Sequence, residues 1–227
     1  MKLITPDTAR LVEFIYADEM RPTPGSGSNS LEMVLAMIQE RYSFVQMPTV
    51  KQLLEGNANF VGGQFAANEK TYIVKEVMTT PSALIIDTMT SDACKLFFND
   101  LVQWGQAELG WRKPWTRPKA RNFSGVIVEF DEAVEKRIES FSRLCELFSS
   151  ALKAEYEIDQ PYFMKTLAFG ADPAKLPAGS MQTDILIQRR TDFPYEGGRY
   201  YVTGPFETDK LLALLERAES LMLGTAT

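Results

Sequence analysis

Apolar positions change their spacing several times along the chain, and each change predicts an element. Thr5 followed by Pro6 predicts a helix start, because proline at the first helical position gives up only an N–H that would be unpaired there anyway. That helix is expected to run through ARLVEFIYADEM to about Met20. RPTPGSGSNS, Arg21 to Ser30, reads as a loop of prolines, glycines and small polar residues. Asn29 or Ser30 then caps a second helix in which Leu31, Val34, Leu35, Ile38 and Tyr42 share one stripe. A short third helix is expected from Thr49 to about Glu55.

From Asn59 the period shortens. NFVGGQFAA, TYIVKEVM and SALIIDTM are strand candidates rich in β-branched and aromatic residues, separated by turn-like AANEK and TTPS. Gly62 and Gly63 predict a bulge or a close backbone approach in the first of them. Thr90 or Ser91 caps a helix that carries Leu96, Phe97, Leu101 and Trp104 and stops at Gly110.

The second half repeats that order. FSGVIVEF, Phe123 to Phe130, predicts a strand, and Asp131 opens the clearest amphipathic pattern in the chain: Val134, Ile138, Phe141, Leu144, Cys145, Phe148 and Leu152 step by three and four. Strands are then expected in YFMKTLAFG, TDILIQRR and RYYVTG, before a last helix from Glu207 or Thr208. Ser91-Asp92 and Thr208-Asp209 open the two closing helices alike, although any strand-to-helix junction favours a capping hydroxyl and an acid in the first turn.

The expected fold class is therefore α+β: a mixed or mostly antiparallel sheet of six or seven strands, built from two βββα-like units and covered by amphipathic helices, with an N-terminal helical layer. The corresponding segments are 1–56 (helical), 57–110 (first βββα unit), 111–121 (linker) and 122–227 (strand, long helix and second βββα unit), within one compact domain. The helix from Asp131 is expected to pack against both βββα units.

Charge changes this picture at one place. WRKPWTRPKAR places Trp111, Arg112, Lys113, Trp115, Arg117, Lys119 and Arg121 in a run with no acid. Its five cations sit in a chain of net charge −6, leaving −11 for the remainder. Cations interleaved with tryptophan suit phosphates and stacked bases, so binding of nucleic acid is a legitimate expectation. An acidic protein of pI about 4.9 argues instead for a linker with buried tryptophans, whose cations meet acids of this chain or of a partner protein.

Chemistry is sparsely signalled. The chain has no histidine, which removes Ser-His-Asp and Cys-His catalysis and histidine-ligated metal sites. Cys94 and Cys145 lie among apolar neighbours and read as packed free thiols. Arg189, Arg190 and Arg199 flank the FPYEGG turn and could clamp an anion, or form cross-strand ion pairs with Asp192 or Glu196. Asp87, Glu129, Asp131, Asp184, Asp192 and Glu196 lie in or beside strands and supply the only acid–base equipment for a carboxylate- or metal-dependent hydrolase. No catalytic constellation, metal site or cofactor is predicted from them.

The N-terminal stretch carries Asp7, Arg10 and Glu13 where a signal peptide would be apolar, and no apolar run reaches the ~18 residues of a membrane span. A cytoplasmic protein is expected. The preferred expectation is a non-catalytic interaction or assembly component acting in a homo- or hetero-oligomer, with Phe60, Phe65, Tyr200 and Tyr201 among its aromatic anchors. Nucleic-acid binding through 111–121 is the alternative.

Overall fold

A strand occupies the place where the sequence pattern predicts the first helix. In the computed structural model, β1 spans Lys2–Glu13. The structure describes residues 1–14, 30–111, 120–131, 134, 138–157, 161–170, 172, 184–194 and 198–222. The helical reading of Thr5 and Pro6 fails because the segment alternates with period two: Ala9, Leu11 and Glu13 are buried, while Arg10 is exposed and Val12 half-buried. Proline is tolerated because the ladder to β4 begins beyond it, pairing Ala9 with Thr88 and ending at Glu13 opposite Leu84.

The other elements follow in the order α1 (Leu31–Tyr42), α2 (Val50–Leu54), β2 (Asn59–Ala67), β3 (Lys70–Thr80), β4 (Ala83–Thr88) and α3 (Ser91–Glu108). The second half gives β5 (Ala120–Glu129), a helix we number α4 (Glu139–Tyr156), β6 (Thr166–Phe169), β7 (Ile185–Arg189), β8 (Arg199–Gly204) and a last helix, α5 (Thr208–Met222). Among the described residues these are eight strands and five helices, an α+β protein with antiparallel ladders. No helix among them is long and apolar enough to cross a membrane.

Capping chemistry sets the helix starts. Ser30 Oγ accepts the Met33 N–H, Thr49 and Gln52 form a reciprocal capping box, and Thr90 Oγ1 accepts the Ala93 N–H. Gly110, with φ of +65°, ends α3 in the left-handed region.

The chain divides into two compact units, Thr8–Ser124 and Met1–Asp7 with Gly125–Thr227. In the first, the strands run β2-β3-β4-β1. Ile38 and Tyr42 of α1 and Cys94, Phe97 and Leu101 of α3 cover Leu11, Phe65, Val74 and Ile86 in one apolar core. Tyr42 is fully buried, and its hydroxyl donates to Asp100 Oδ2 at 2.8 Å while accepting from Arg41 Nε at 3.2 Å. Gly63 lies flat against the Phe44 ring, where a Cβ would overlap it. The close approach expected of the Gly62-Gly63 pair is thus a side chain meeting a strand.

In the second unit the strands run β6-β7-β8-β5. Leu211 and Leu215 of α5 pack with Val126, Val128, Phe130, Val134, Ile187, Tyr200 and Val202. Tyr200 is fully buried, and its hydroxyl oxygen accepts the Val134 N–H at 2.9 Å and an Arg189 Nη2–H at 2.8 Å.

Candidate functional site

Helix α4 begins at Glu139, not at the predicted Asp131, and carries only the Phe141–Leu152 part of the predicted apolar stripe, Val134 lying in the core instead; none of the described side chains of α4 is buried. Leu144, Leu147 and Phe148 are 46%, 61% and 53% exposed. Phe141, Cys145 and Leu152 on the same helix are half-buried. An 18-residue amphipathic helix owes most of its stability to burying its apolar face, so an uncovered one is the feature of this unit that sequence and structure leave unaccounted for.

Tyr162 extends that surface. Its ring lies 6.2 Å from Phe148, centroid to centroid, and its backbone N–H donates to Ser149 Oγ at 2.8 Å, so the segment before β6 is tied to α4. Strand β6 is the last in its ladder, pairs with β7 over Thr166–Phe169, and leaves Phe169 half-exposed at 52%. The end strand of the other unit's ladder differs: β2 is protected by a bridge in which Gln46 and Val61 exchange both backbone hydrogen bonds, at 3.1 and 3.0 Å. No such bridge forms on β6 among the described residues.

The residues singled out in the sequence fall elsewhere. Arg112, Lys113, Trp115, Arg117 and Lys119 lie outside the described residues. Trp111 packs against the first unit's core, its ring over Gly105 and its backbone N–H donating to the Gly105 carbonyl at 3.0 Å. Arg121 is already in β5, with its guanidinium 5.2 Å from the centre of the Phe14 ring.

The three arginines of the FPYEGG turn are committed separately. Arg189 is buried, 5.0 Å from the Tyr200 ring centre and 5.9 Å from that of Phe163. Arg190 forms a two-pronged pair with Asp192, and this holds the Asp192 carboxyl below its usual range. Arg199 donates to Glu129 Oε2 at 2.7 Å and stacks 4.3 Å from the Phe193 ring. A cleft of about 430 Å³ beside Asp7, Arg189, Arg190, Asp192 and Tyr201 is polar, and ion pairing within the chain has taken up Arg190. Glu196 lies outside the described residues.

The candidate acids likewise face cations: Asp87 meets Arg10 at 2.6 Å, Glu129 meets Arg199, and Asp131 meets the Met1 amino group at 3.3 Å. Among the described residues no three acids or cysteines cluster as a metal ion would require. Burial pushes the Cys94 thiol up to about 11, partly offset by the Thr88 hydroxyl 3.2 Å away, so it is a packed thiol and no nucleophile. Phe60, Phe65 and Tyr200, expected as interface anchors, are all core residues. Their place is set by strand alternation, which turns them inward.

No protein-family model matches the chain, and no curated protein matches it.

Proposed function

We propose that this protein is a non-catalytic assembly component that associates with a second copy of itself through the apolar face of α4, extended by Tyr162 and the edge of β6. The observation that carries this reading is the exposure of Leu144, Leu147 and Phe148 on an amphipathic helix none of whose described side chains is buried. A twofold pairing uses the same patch on both copies and is the commonest closed arrangement for a soluble chain.

Internal duplication supports the choice of α4. Apart from the extra short helix α2 in the first half, the order strand, helix, three strands, helix occurs twice, as β1-α1-α2-β2-β3-β4-α3 and as β5-α4-β6-β7-β8-α5. The ladders run β2-β3-β4-β1 and β6-β7-β8-β5, the same order in each unit. We infer two copies of one β-α-βββ-α unit, an enlargement of the βββα units expected from sequence. In that alignment α4 takes the place of α1. Helix α1 buries Ile38 and Tyr42 in its core, whereas α4 buries none of its described side chains, and the missing cover is what a partner supplies.

Magnitudes bound the strength of the contact. A side chain of this size gains about 1.5–3 kcal/mol on full burial, so each half-exposed one on α4 has on the order of 1 kcal/mol left to gain. Three from each copy, with Tyr162, make about 8 kcal/mol, which falls inside the association cost of about 4–15 kcal/mol. The pairing is accordingly reversible and concentration-dependent. Light scattering tests it: mass above that of one chain, falling on dilution, supports the reading, and a monomer at every concentration refutes it.

A further inference from the structure

Glu13 is a carboxylate at a position where its strand places core residues. It follows Ala9 and Leu11 on the inward side of β1, opposite Leu84 of β4, and only 7% of its surface is exposed. Among the described residues the other buried or half-buried acids of this unit meet donors: Asp87 with Arg10, Glu76 with the Asn59 amide, and Asp100 with Arg41 and the Tyr42 hydroxyl. Glu13 does not, and its Oε2 is buried without a hydrogen bond. Such a group is costly to keep unless something else pairs with it.

What Glu13 faces is a cavity of about 720 Å³, lined by Leu11 and Glu13 of β1 and by Lys95, Phe98 and Asn99 of α3. Lys95, Phe98 and Asn99 are three and four residues apart on the helix, so they form one face above the strand. The cavity thus has a carboxylate on its strand wall, an ammonium and a carboxamide on its helix wall, and apolar surface from Leu11 and Phe98 between them. Its volume lies within the range of small-molecule sites, about 300–1,000 Å³. Burial raises the Glu13 carboxyl above its usual range, as expected for a carboxyl taken out of water.

We propose that this cavity binds a small zwitterion with an apolar body, the class of free amino acids and short peptides. The ligand's ammonium pairs with Glu13, its carboxylate meets Lys95 and Asn99, and its apolar part lies on Leu11 and Phe98.

The test titrates the full chain with phenylalanine, with 3-phenylpropionate, which lacks the ammonium, and with phenethylamine, which lacks the carboxylate, following amide chemical shifts. Phenylalanine is expected to shift the amides of β1 and α3 saturably, and each analogue to bind about tenfold or more weakly, the loss of one charge-assisted hydrogen bond. Glu13→Gln, nearly the same shape, should cost phenylalanine a similar factor while leaving phenylpropionate unchanged. Lys95→Met should weaken phenylpropionate and leave phenethylamine unchanged. Absence of any saturable shift with the three probes at millimolar concentration overturns the proposal. So does undiminished phenylalanine binding by the folded Glu13→Gln protein, or tighter binding of phenethylamine than of phenylalanine.

Discussion

The rings of Phe148 and Tyr162 meet at 6.2 Å with their planes 56° apart, yet about half of each side chain remains in solvent. Aromatic pairs of this geometry are ordinary in cores, where both members are covered. Here the pair is formed but its outer side is bare, and Leu144 and Leu147 continue the same surface. Replacing Leu147 and Phe148 together by aspartate should abolish association measured by light scattering. The folded chain should lose less than about 1 kcal/mol in urea unfolding, because neither side chain is in the core. Loss of several kcal/mol without a change in mass would place the two residues in the fold and not in an interface.

The two cysteines differ in a way that thiol labelling reads directly. Cys94 is fully buried among Thr88, Ala9 and Ile86, and Cys145 is half-buried on α4. A chromogenic disulfide reagent at neutral pH should titrate Cys145 quickly and Cys94 only after unfolding. Raising the protein concentration should slow Cys145, since pairing covers its helix. Equal rates for both thiols would contradict the burial of Cys94.

Tyr200→Phe removes one hydroxyl from a closed core. The Val134 N–H and an Arg189 N–H both lose that acceptor. A cost of about 1–3 kcal/mol is expected, seen as a lower urea midpoint with an unchanged slope. A neutral effect would mean that water replaces the hydroxyl.

Glu13 makes stability depend on pH with a definite sign. Burial raises its carboxyl in the folded state, so the folded chain holds that proton more tightly than the unfolded one. Between the unfolded value, about 4.3 for glutamate, and the raised folded value, stability falls as pH rises. Lys95 is the cation on the facing wall of the cavity. Glu13→Gln lacks the proton-linked cost. Its stability relative to wild type should therefore improve as pH rises from below the carboxylate range to neutrality. A difference that stays constant with pH would contradict the burial of that carboxylate.

Much of this architecture is legible in the chain because local patterns and the fold agree. NFVGGQFAA and RYYVTG become strands with the bounds their composition suggests, and Thr49 and Thr90 cap the helices they precede. β1 is misread because the Thr5-Pro6 start signal competes with a period-two run of only five residues, Ala9 to Glu13, and partnering with β4 decides the outcome. The candidate site is harder to see for a different reason. The 3.6-residue period of α4 shows that one side is apolar but is silent about what covers it. Leu147, outside the stripe of Leu144, Phe148 and Leu152, is the one local sign, since it widens the apolar face beyond what a core contact needs. Glu13 carries no sequence signal at all: an acid at the end of an alternating run reads as the point where a strand leaves the core.

Hydrogen exchange at two protein concentrations tests the assembly claim most directly, because it reports where any association occurs. On going from dilute to concentrated protein, amides from Phe141 to Leu152 and around Tyr162 should exchange more slowly, while the core amides of Val74 and Val202 stay unchanged. Concentration-independent exchange throughout α4 would contradict the account, and so would protection appearing on another surface.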